Sequence, residues 1–394
     1  MAITDKEQGV WELDEVYNKI NQGGIWSYDG ISELFTVGYN NFGSLGQNDR
    51  TYRSSPVQVT GSWVAASSAT TISALALRSD GTLWGMGYNE YGELGLNNNT
   101  RYSSPTQIPG SWVSLAGGGG AMGAVSAIKT DGTLWAWGQN EYGQLGINKN
   151  PSNFDFVSSP TQVGTDTTWS TDTTLTQVTI AQMSAAIKSD GTLWTWGYNG
   201  GGGLAQNNQT NRSSPVQVPG TTWSSVGHGD SNLMAFKTDG TMWTCGGNGY
   251  GELGIGNRTQ YSSPKQVPGT TWKNGLNADN SAGAVKTDGT LWTWGRNQSG
   301  QLGQNDSHSP GPSSKLDPTQ VPGTTWDSIS AAPASWYGNK TEGTLWAWGT
   351  NSNGNLGLND KTSRSSPTQI PGTIWASFVR NGAQGNSANF LTSA

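Results

Sequence analysis

The chain has 394 residues, of which 12% are charged, and a net charge of -6 from 21 Lys and Arg against 27 Asp and Glu. Soluble domains usually carry about 25% charged residues and disordered chains combine high charge with few aromatics, so 20 Trp and 57 Gly at this low charge indicate a folded, turn-rich protein. No run of Lys or Arg exists to grip a phosphate backbone, and no apolar run approaches the ~20 residues of a membrane span, so neither nucleic acid nor membrane insertion is expected.

Residues 1–29 stand apart from the rest of the chain. The opening MAITDKEQGVWEL has no cationic stretch followed by an apolar one, so it does not read as a secretory signal. Leu13, Val16, Tyr17 and Ile20 fall at i, i+3, i+4 and i+7, which predicts a short amphipathic helix. With the flanking Trp11 and Trp26, they are either a helix packed on the rim of the next domain or an anchor that docks on a partner.

From residue 30 onward the chain is periodic. Lys129-Thr130-Asp131-Gly132-Thr133-Leu134-Trp135-Ala136-Trp137-Gly138 recurs with changes from Arg78, Lys188, Lys237, Lys286 and Lys340. The first Trp of each copy falls at 84, 135, 194, 243, 292 and 346, a period of 49 to 59 residues that signals a solenoid or a propeller. Asp-Gly before an apolar run predicts a hairpin, because Gly accepts the positive φ of the turn. Leu-Trp-Ala-Trp, apolar on both faces, then predicts a strand covered on each side. Helical solenoids are excluded, since no repeat holds a ten-residue amphipathic stretch free of Gly and Pro.

Each unit continues with Asn-x-x-Gly-x-Leu-Gly, then Ser-Ser-Pro-x-Gln-Val/Ile, then a Trp. The Pro-x-Gln core and the last Trp occur seven times, the Asp-Gly-Thr-Leu-Trp hairpin only six. The ends account for the difference. Leu34-Phe35-Thr36-Val37-Gly38 aligns with the strand after the turn, and Ala388-Asn389-Phe390-Leu391 with the strand before it. The predicted fold is therefore all-β: a seven-bladed β-propeller over residues 30–394, one blade closed by both termini, plus the N-terminal arm.

Asp-Gly-Thr-Leu-Trp-x-Trp-Gly-x-Asn-x-x-Gly-x-Leu-Gly, followed by Pro-x-Gln-Val, resembles the repeat of the regulator of chromosome condensation family over residues 31–394. The founding member of that family is a guanine-nucleotide exchange factor for a nuclear GTPase and docks on chromatin, so the resemblance implies GTPase regulation; no β-wedge insertion or basic tail for DNA can be matched here. Gly-Val-Trp-Glu-Leu-Asp-Glu-Val-Tyr-Asn-Lys-Ile with Gly-Gly-Ile-Trp resembles the short N-terminal segment of virion proteins of tailed phages infecting marine bacteria. That resemblance implies attachment to other virion proteins through the arm.

No catalytic constellation emerges. A relay needs a His held between nucleophile and carboxylate; His228 sits in Gly-His-Gly-Asp and His308 in a Ser/Pro-rich insertion. Either could join a site, but surface residence is the expectation. The lone Cys245 takes the position of Trp137 or Trp196 and reads as a packing variant. The Gly117–Gly120 and Gly200–Gly203 runs lack the Lys-Ser/Thr of a phosphate loop. Glu90, Glu93, Glu141 and Glu252 are expected to face water. A glycoside-cleaving acid pair could come only from Asp155, Asp166 or Asp172, with nothing to favour any two. No metal or other cofactor is expected.

Binding is the stronger reading. Phe42, Tyr91, Tyr142 and Tyr250 share one position in four Asn-x-aromatic-Gly loops and should ring one face, where aromatic faces beside amides suit sugars or proteins. Two repeats are expanded on the same side: Asn148–Val157, with Phe154 and Phe156, and Ser307–Asp317. Trp336 and Tyr337 replace smaller residues and join the candidate partner-binding set. The leading expectation is a non-enzymatic phage virion protein, a capsid or tail decoration or fibre, assembled in the host cytoplasm and binding host-surface glycan or protein. The alternative is a cytoplasmic protein-interaction propeller, possible GTPase regulation included.

Overall fold

The computed structural model describes residues 33–70, 72–117, 123–149, 155–174, 176–228, 231–278, 280–306, 314–332, 334–372, 375–378 and 387–392. The six candidate anchor residues (Trp11, Leu13, Val16, Tyr17, Ile20, Trp26), the helix expected to carry them, Phe154 and His308 lie outside these.

The described residues form an all-β propeller of antiparallel four-stranded sheets, seven in number. Sheet I pairs Arg53–Val59, Leu34–Gly38, Ser387–Thr392 and Trp375–Phe378 in that order. Sheet II holds Trp63–Thr70, Ser73–Arg78, Leu83–Gly87 and Tyr102–Ile108, and sheet III Trp112–Gly117, Ala124–Lys129, Leu134–Gln139 and Phe156–Gln162. Sheet IV contains Val178–Ile180, Met183–Ile187, Leu193–Gly197 and Arg212–Gln217, and sheet V Trp223–His228, Asn232–Lys237, Met242–Gly246 and Tyr261–Gln266. Sheet VI comprises Trp272–Ala278, Ser281–Lys286, Leu291–Arg296 and Ser314–Gln320, and sheet VII Trp326–Ala332, Ser335–Lys340, Leu345–Gly349 and Arg364–Ile370. In sheet I, Phe35 stands opposite Phe390 and Val37 opposite Ala388, so the two ends of the chain pair strand to strand.

The core lies between sheets. One cluster joins Leu75, Leu77, Leu83 and Ile108 of sheet II to Trp112, Val125 and Trp137 of sheet III. Equivalent clusters fill the gaps from sheet I to sheet II and from sheet VII back to sheet I, the last bringing Tyr337, Leu345 and Ile370 against Val37 and Trp375. Apolar burial contributes roughly 25 cal/mol per Å², so every sheet depends on its neighbours for stability.

Polar joints repeat with the same period and account for two motifs. In each Asn-x-x-Gly-x-Leu-Gly loop the Asn Oδ1 accepts the Leu N–H, as between Asn89 and Leu94 at 2.9 Å. Asn97, at φ +56°, donates its N–H to the Ser158 carbonyl at 2.8 Å and accepts the Ser159 hydroxyl at 2.9 Å. This use of Ser-Ser before Pro recurs between Asn359 of sheet VII and Ser54 and Ser55 of sheet I, at 3.3 and 3.2 Å. Gly92 sits where a Cβ would lie 2.4 Å from the Ser158 Cα, so only glycine lets one sheet approach the next this closely.

Candidate interaction surface

Because consecutive connections of an antiparallel meander lie at opposite ends, the Asp-Gly hairpins occupy one end of the sheets and the Asn-x-x-Gly-x-Leu-Gly loops the other. The hairpin end is uniform. Gly132, at φ +77°, closes a turn in which its N–H reaches the Lys129 carbonyl at 3.0 Å. Asp131 Oδ1 accepts both the N–H and the hydroxyl of Thr133, and Trp135 Nε1 donates to that hydroxyl at 2.8 Å. The Asp of the turn therefore orients a tryptophan as well as shaping the chain. The Thr133 hydroxyl and then its N–H hold the Asp131 carboxyl below the usual range.

Above each such Trp lies a cation. Lys129 Nζ is 3.6 Å from the ring centroid of Trp135 and 5.2 Å from that of Trp112. Arg78, Lys188, Lys237, Lys286 and Lys340 are each held in the same way between two Trp rings, at 4.1 to 5.1 Å. Six of the 21 cations are thus committed to packing. Sheet I differs: Phe35 meets Trp375 edge-on at 5.6 Å, and Thr392 stands where the cation would be.

The loop end is uneven. Across sheets I to III, Tyr52, Tyr39, Phe42, Tyr88, Tyr91 and Phe156 follow one another with ring centroids 4.9, 6.3, 5.3, 6.3 and 6.5 Å apart. Tyr52 and Phe156 are exposed, the others half-buried. The Arg101 guanidinium lies over Phe42 and Tyr88, at 4.8 and 4.9 Å, and pairs with Glu90. Tyr88 donates its hydroxyl to Glu90; burial first, and then that bond, raises the phenol. Tyr142 meets Tyr198 at 5.1 Å, and Tyr250, exposed, lies beneath Arg296 at 5.4 Å. Of the five loop and insertion aromatics that the sequence pattern selects among the described residues, Phe42, Tyr91 and Phe156 join this arc, whereas Tyr142 and Tyr250 stand apart from it. Tyr39, Tyr52, Tyr88 and Arg101 fall outside that pattern, although the repetition of Gly-Tyr-Asn at Tyr39, Tyr88 and Tyr198 is a signal that could reveal the first and third.

Two expectations require correction. Trp336 and Tyr337 have no exposed surface and belong to the core. Gly283 of the neighbouring sheet makes room for the first ring, since a Cβ there would lie 2.7 Å from it, and Tyr337 donates its hydroxyl to the Asn355 carbonyl at 2.8 Å. Glu93 and Glu252 do not face water either: they are 0% and 5% exposed, because the carboxylate folds back to accept a loop N–H, that of Tyr91 or Tyr250. Glu90 is exposed and Glu141 half-buried. Burial pushes the Glu93 carboxyl up to about 7.

The remaining chemical candidates disperse. Asp155 pairs with Lys149, Asp166 with Lys188, and Asp172 accepts the N–H and hydroxyl of Thr174. Cys245 is fully buried, its thiol pushed up to about 12 by burial, and its Sγ lies 3.6 Å from the Gly203 carbonyl. That carbonyl corresponds to the Gln144 oxygen that accepts Trp196 Nε1, so Cys245 fills an indole position. His228 ends its strand in sheet V. Among the described residues no three His, Cys, Asp or Glu side chains gather as a metal site.

Comparison with known proteins agrees with this architecture. Over 98 residues the chain is 31% identical to the human probable E3 ubiquitin-protein ligase HERC3, a match spanning 23% of this chain and only 8% of that protein. Human WBSCR16 superposes with a TM-score of 0.77 at 17% identity, covering 92% of this chain and 99% of the other. Prp20p from Saccharomyces cerevisiae gives 0.77 at 16% identity, covering 92% of each chain. The family described as "Regulator of chromosome condensation (RCC1) repeat" matches residues 80–125, 131–185, 190–236, 239–273, 288–332 and 342–379. With more than half its length matched by that repeat, the chain belongs to the regulator of chromosome condensation (RCC1) repeat family.

Proposed function

We propose that this chain is a seven-bladed protein-interaction propeller that acts in the cytoplasm by presenting its loop end to a partner, without catalysis of its own. The aromatic arc from Tyr52 to Phe156 carries this reading. It is the part of the loop end where rings link three consecutive sheets, and aromatic side chains supply much of the energy of protein contacts. The seven sheets support this blade count; the stretch before the first matched repeat, which begins at residue 80, has the Pro-x-Gln core and the last Trp but no Asp-Gly-Thr-Leu-Trp hairpin. Protein partnership fits the relatives, since Prp20p is described by its binding to Gsp1p and histones and has been seen with Kap60. The named relatives lend no support to a virion role, whose specific basis is residues 1–29.

The test is quantitative co-purification of the full chain from its own host, compared with a Tyr52→Ala/Tyr91→Ala/Phe156→Ala variant and with Tyr250→Ala. A partner lost from the triple variant and kept by Tyr250→Ala is the expected result. Identical partner sets for all three proteins would refute the interaction face. Recovery of phage structural proteins that depends on residues 1–29, with no arc-dependent partner, would restore the virion reading.

A further inference from the structure

We infer that the ring has a built-in clasp, the joint between sheet VII and sheet I, which opens locally while the other joints stay shut. A buried amide is the first reason. Asn339 stands opposite Leu345 in sheet VII, so the two share a face, and Leu345 packs against Val37 and Trp375 of sheet I. At the same register position sheets II to VI place Leu77, Ile128, Ile187, Phe236 and Val285. Asn339 is 2% exposed, and neither its Oδ1 nor its Nδ2 has a hydrogen-bond partner. An unsatisfied amide in an apolar gap destabilises the closed joint, whereas opening lets water satisfy both atoms.

The ties across this joint are the second reason. Elsewhere an indole N–H of one sheet crosses to the preceding sheet, at the carbonyl of Glu93, Gln144, Glu252 or Gln301, over 2.8 to 3.0 Å. In sheet I, Val37 stands at the indole position, and the equivalent carbonyl, that of Asn355, accepts the Tyr337 hydroxyl of its own sheet. The sheets also approach less closely. A Cβ would lie 2.4 to 2.8 Å from the next sheet at Gly43, Gly92, Gly143, Gly202, Gly251 and Gly300, but 3.2 Å from it at Gly354. The backbone N–H that reaches the next sheet does so at 2.8 to 3.1 Å from the other loops and at 3.3 Å from Asn359 to Ser54.

Among the described residues, the other joints that share one of these features keep the remaining ties. Between sheets I and II, Met86 takes the indole position, but the Asn48 N–H meets the Ser103 carbonyl at 2.8 Å. Between sheets V and VI, Asn232 and Asn277 also bury amide atoms without partners, yet Trp294 crosses to the Glu252 carbonyl at 2.9 Å. Sheet VII to sheet I is the joint where the unsatisfied amide, the missing indole and the wider approach coincide. A local opening exposes side chains along one joint only, so its signature is faster access there than at matching places in the ring.

Thiol labelling of the full chain with N-ethylmaleimide, located by peptide mass spectrometry, tests this. Leu345→Cys reports on the clasp, and Leu134→Cys, at the same repeat position, reports on the joint between sheets III and IV. Cys245, buried between sheets IV and V, is the reference already in the chain. Leu345→Cys should be labelled at least about tenfold faster than Leu134→Cys or Cys245, since labelling follows the population of the open form. Adding Asn339→Leu, which copies Leu77, should slow Leu345→Cys at least about fivefold and leave Cys245 unchanged. If either cysteine variant fails to fold, Ala347→Cys against Ala136→Cys makes the same comparison two residues along the same strands. Equal rates at the two engineered thiols, no slowing by Asn339→Leu, or an equal rise at Cys245, which would mean whole-chain unfolding, would each overturn the inference.

Discussion

The two ends of the sheets are built from the same repeat yet use their aromatic residues in opposite ways. At the hairpin end each Trp donates to a Thr hydroxyl and is covered by Lys or Arg, six times with little variation. At the loop end Tyr and Phe occur in some repeats and not others, and their rings touch from one sheet to the next. Uniform packing stabilises the ring, whereas unequal placement breaks its symmetry and creates one distinct surface. Substitutions at the hairpin end should therefore cost stability, and those on the arc should cost binding.

The largest effect is expected at the hairpin-end core. Trp112, 1% exposed, bridges sheets II and III, and Trp112→Ala should cost about 3–5 kcal/mol in denaturant unfolding. Glu93 comes next, with the opposite sign. Its folded-state carboxyl is raised from 4.5 to about 7, so the folded chain holds that proton to higher pH than the unfolded one. Stability is thus retained below about pH 4.5 and lost as pH rises through about 7. Glu93→Gln, which copies Gln144 at the equivalent position, should gain up to about 3 kcal/mol at pH 8 and nothing at pH 4.

Lys129→Ala should cost about 1–2 kcal/mol, and a double-mutant cycle with Trp135→Leu should recover part of it as coupling. Thr133→Val, which breaks the link from Asp131 to Trp135, should cost about 1 kcal/mol. Because Asp131 is held low in the folded chain, its contribution is present above its unfolded value and lost as pH falls through the folded one. The variant's acid unfolding should accordingly begin at higher pH. Smallest of all, Tyr52→Ala/Phe156→Ala should stay within about 0.5 kcal/mol per site of the parent in thermal unfolding; a larger loss would show that the arc is packing and would erase the contrast between the two ends.

Much of the ring is legible in the sequence because its signals are local. Asp-Gly predicts a hairpin from the φ its Gly must adopt, and alternation over Leu-Trp-Ala-Trp predicts a strand buried on both faces. Cys245 is likewise readable as a packing variant, since it stands in register with Trp196. Trp336 and Tyr337 mislead because exposure depends on the neighbouring sheet, where Gly283 vacates the space that the first ring fills. Glu93 misleads for a related reason: a charged residue in a Gly-rich loop suggests solvent, but the loop folds back and the carboxylate is consumed by the Tyr91 N–H.

The sequence by itself determined the period, the strands, the turns and the complementary halves at its two ends, because each depends on residues close together in the chain. Only the tertiary structure decided which aromatic residues meet. Tyr52, Tyr91 and Phe156 are far apart in sequence and lie in three sheets, and their association depends on how closely Gly92 and its equivalents let one sheet approach the next. Side-chain type determines what a ring can bind, but the distance between blades determines whether several rings form one surface.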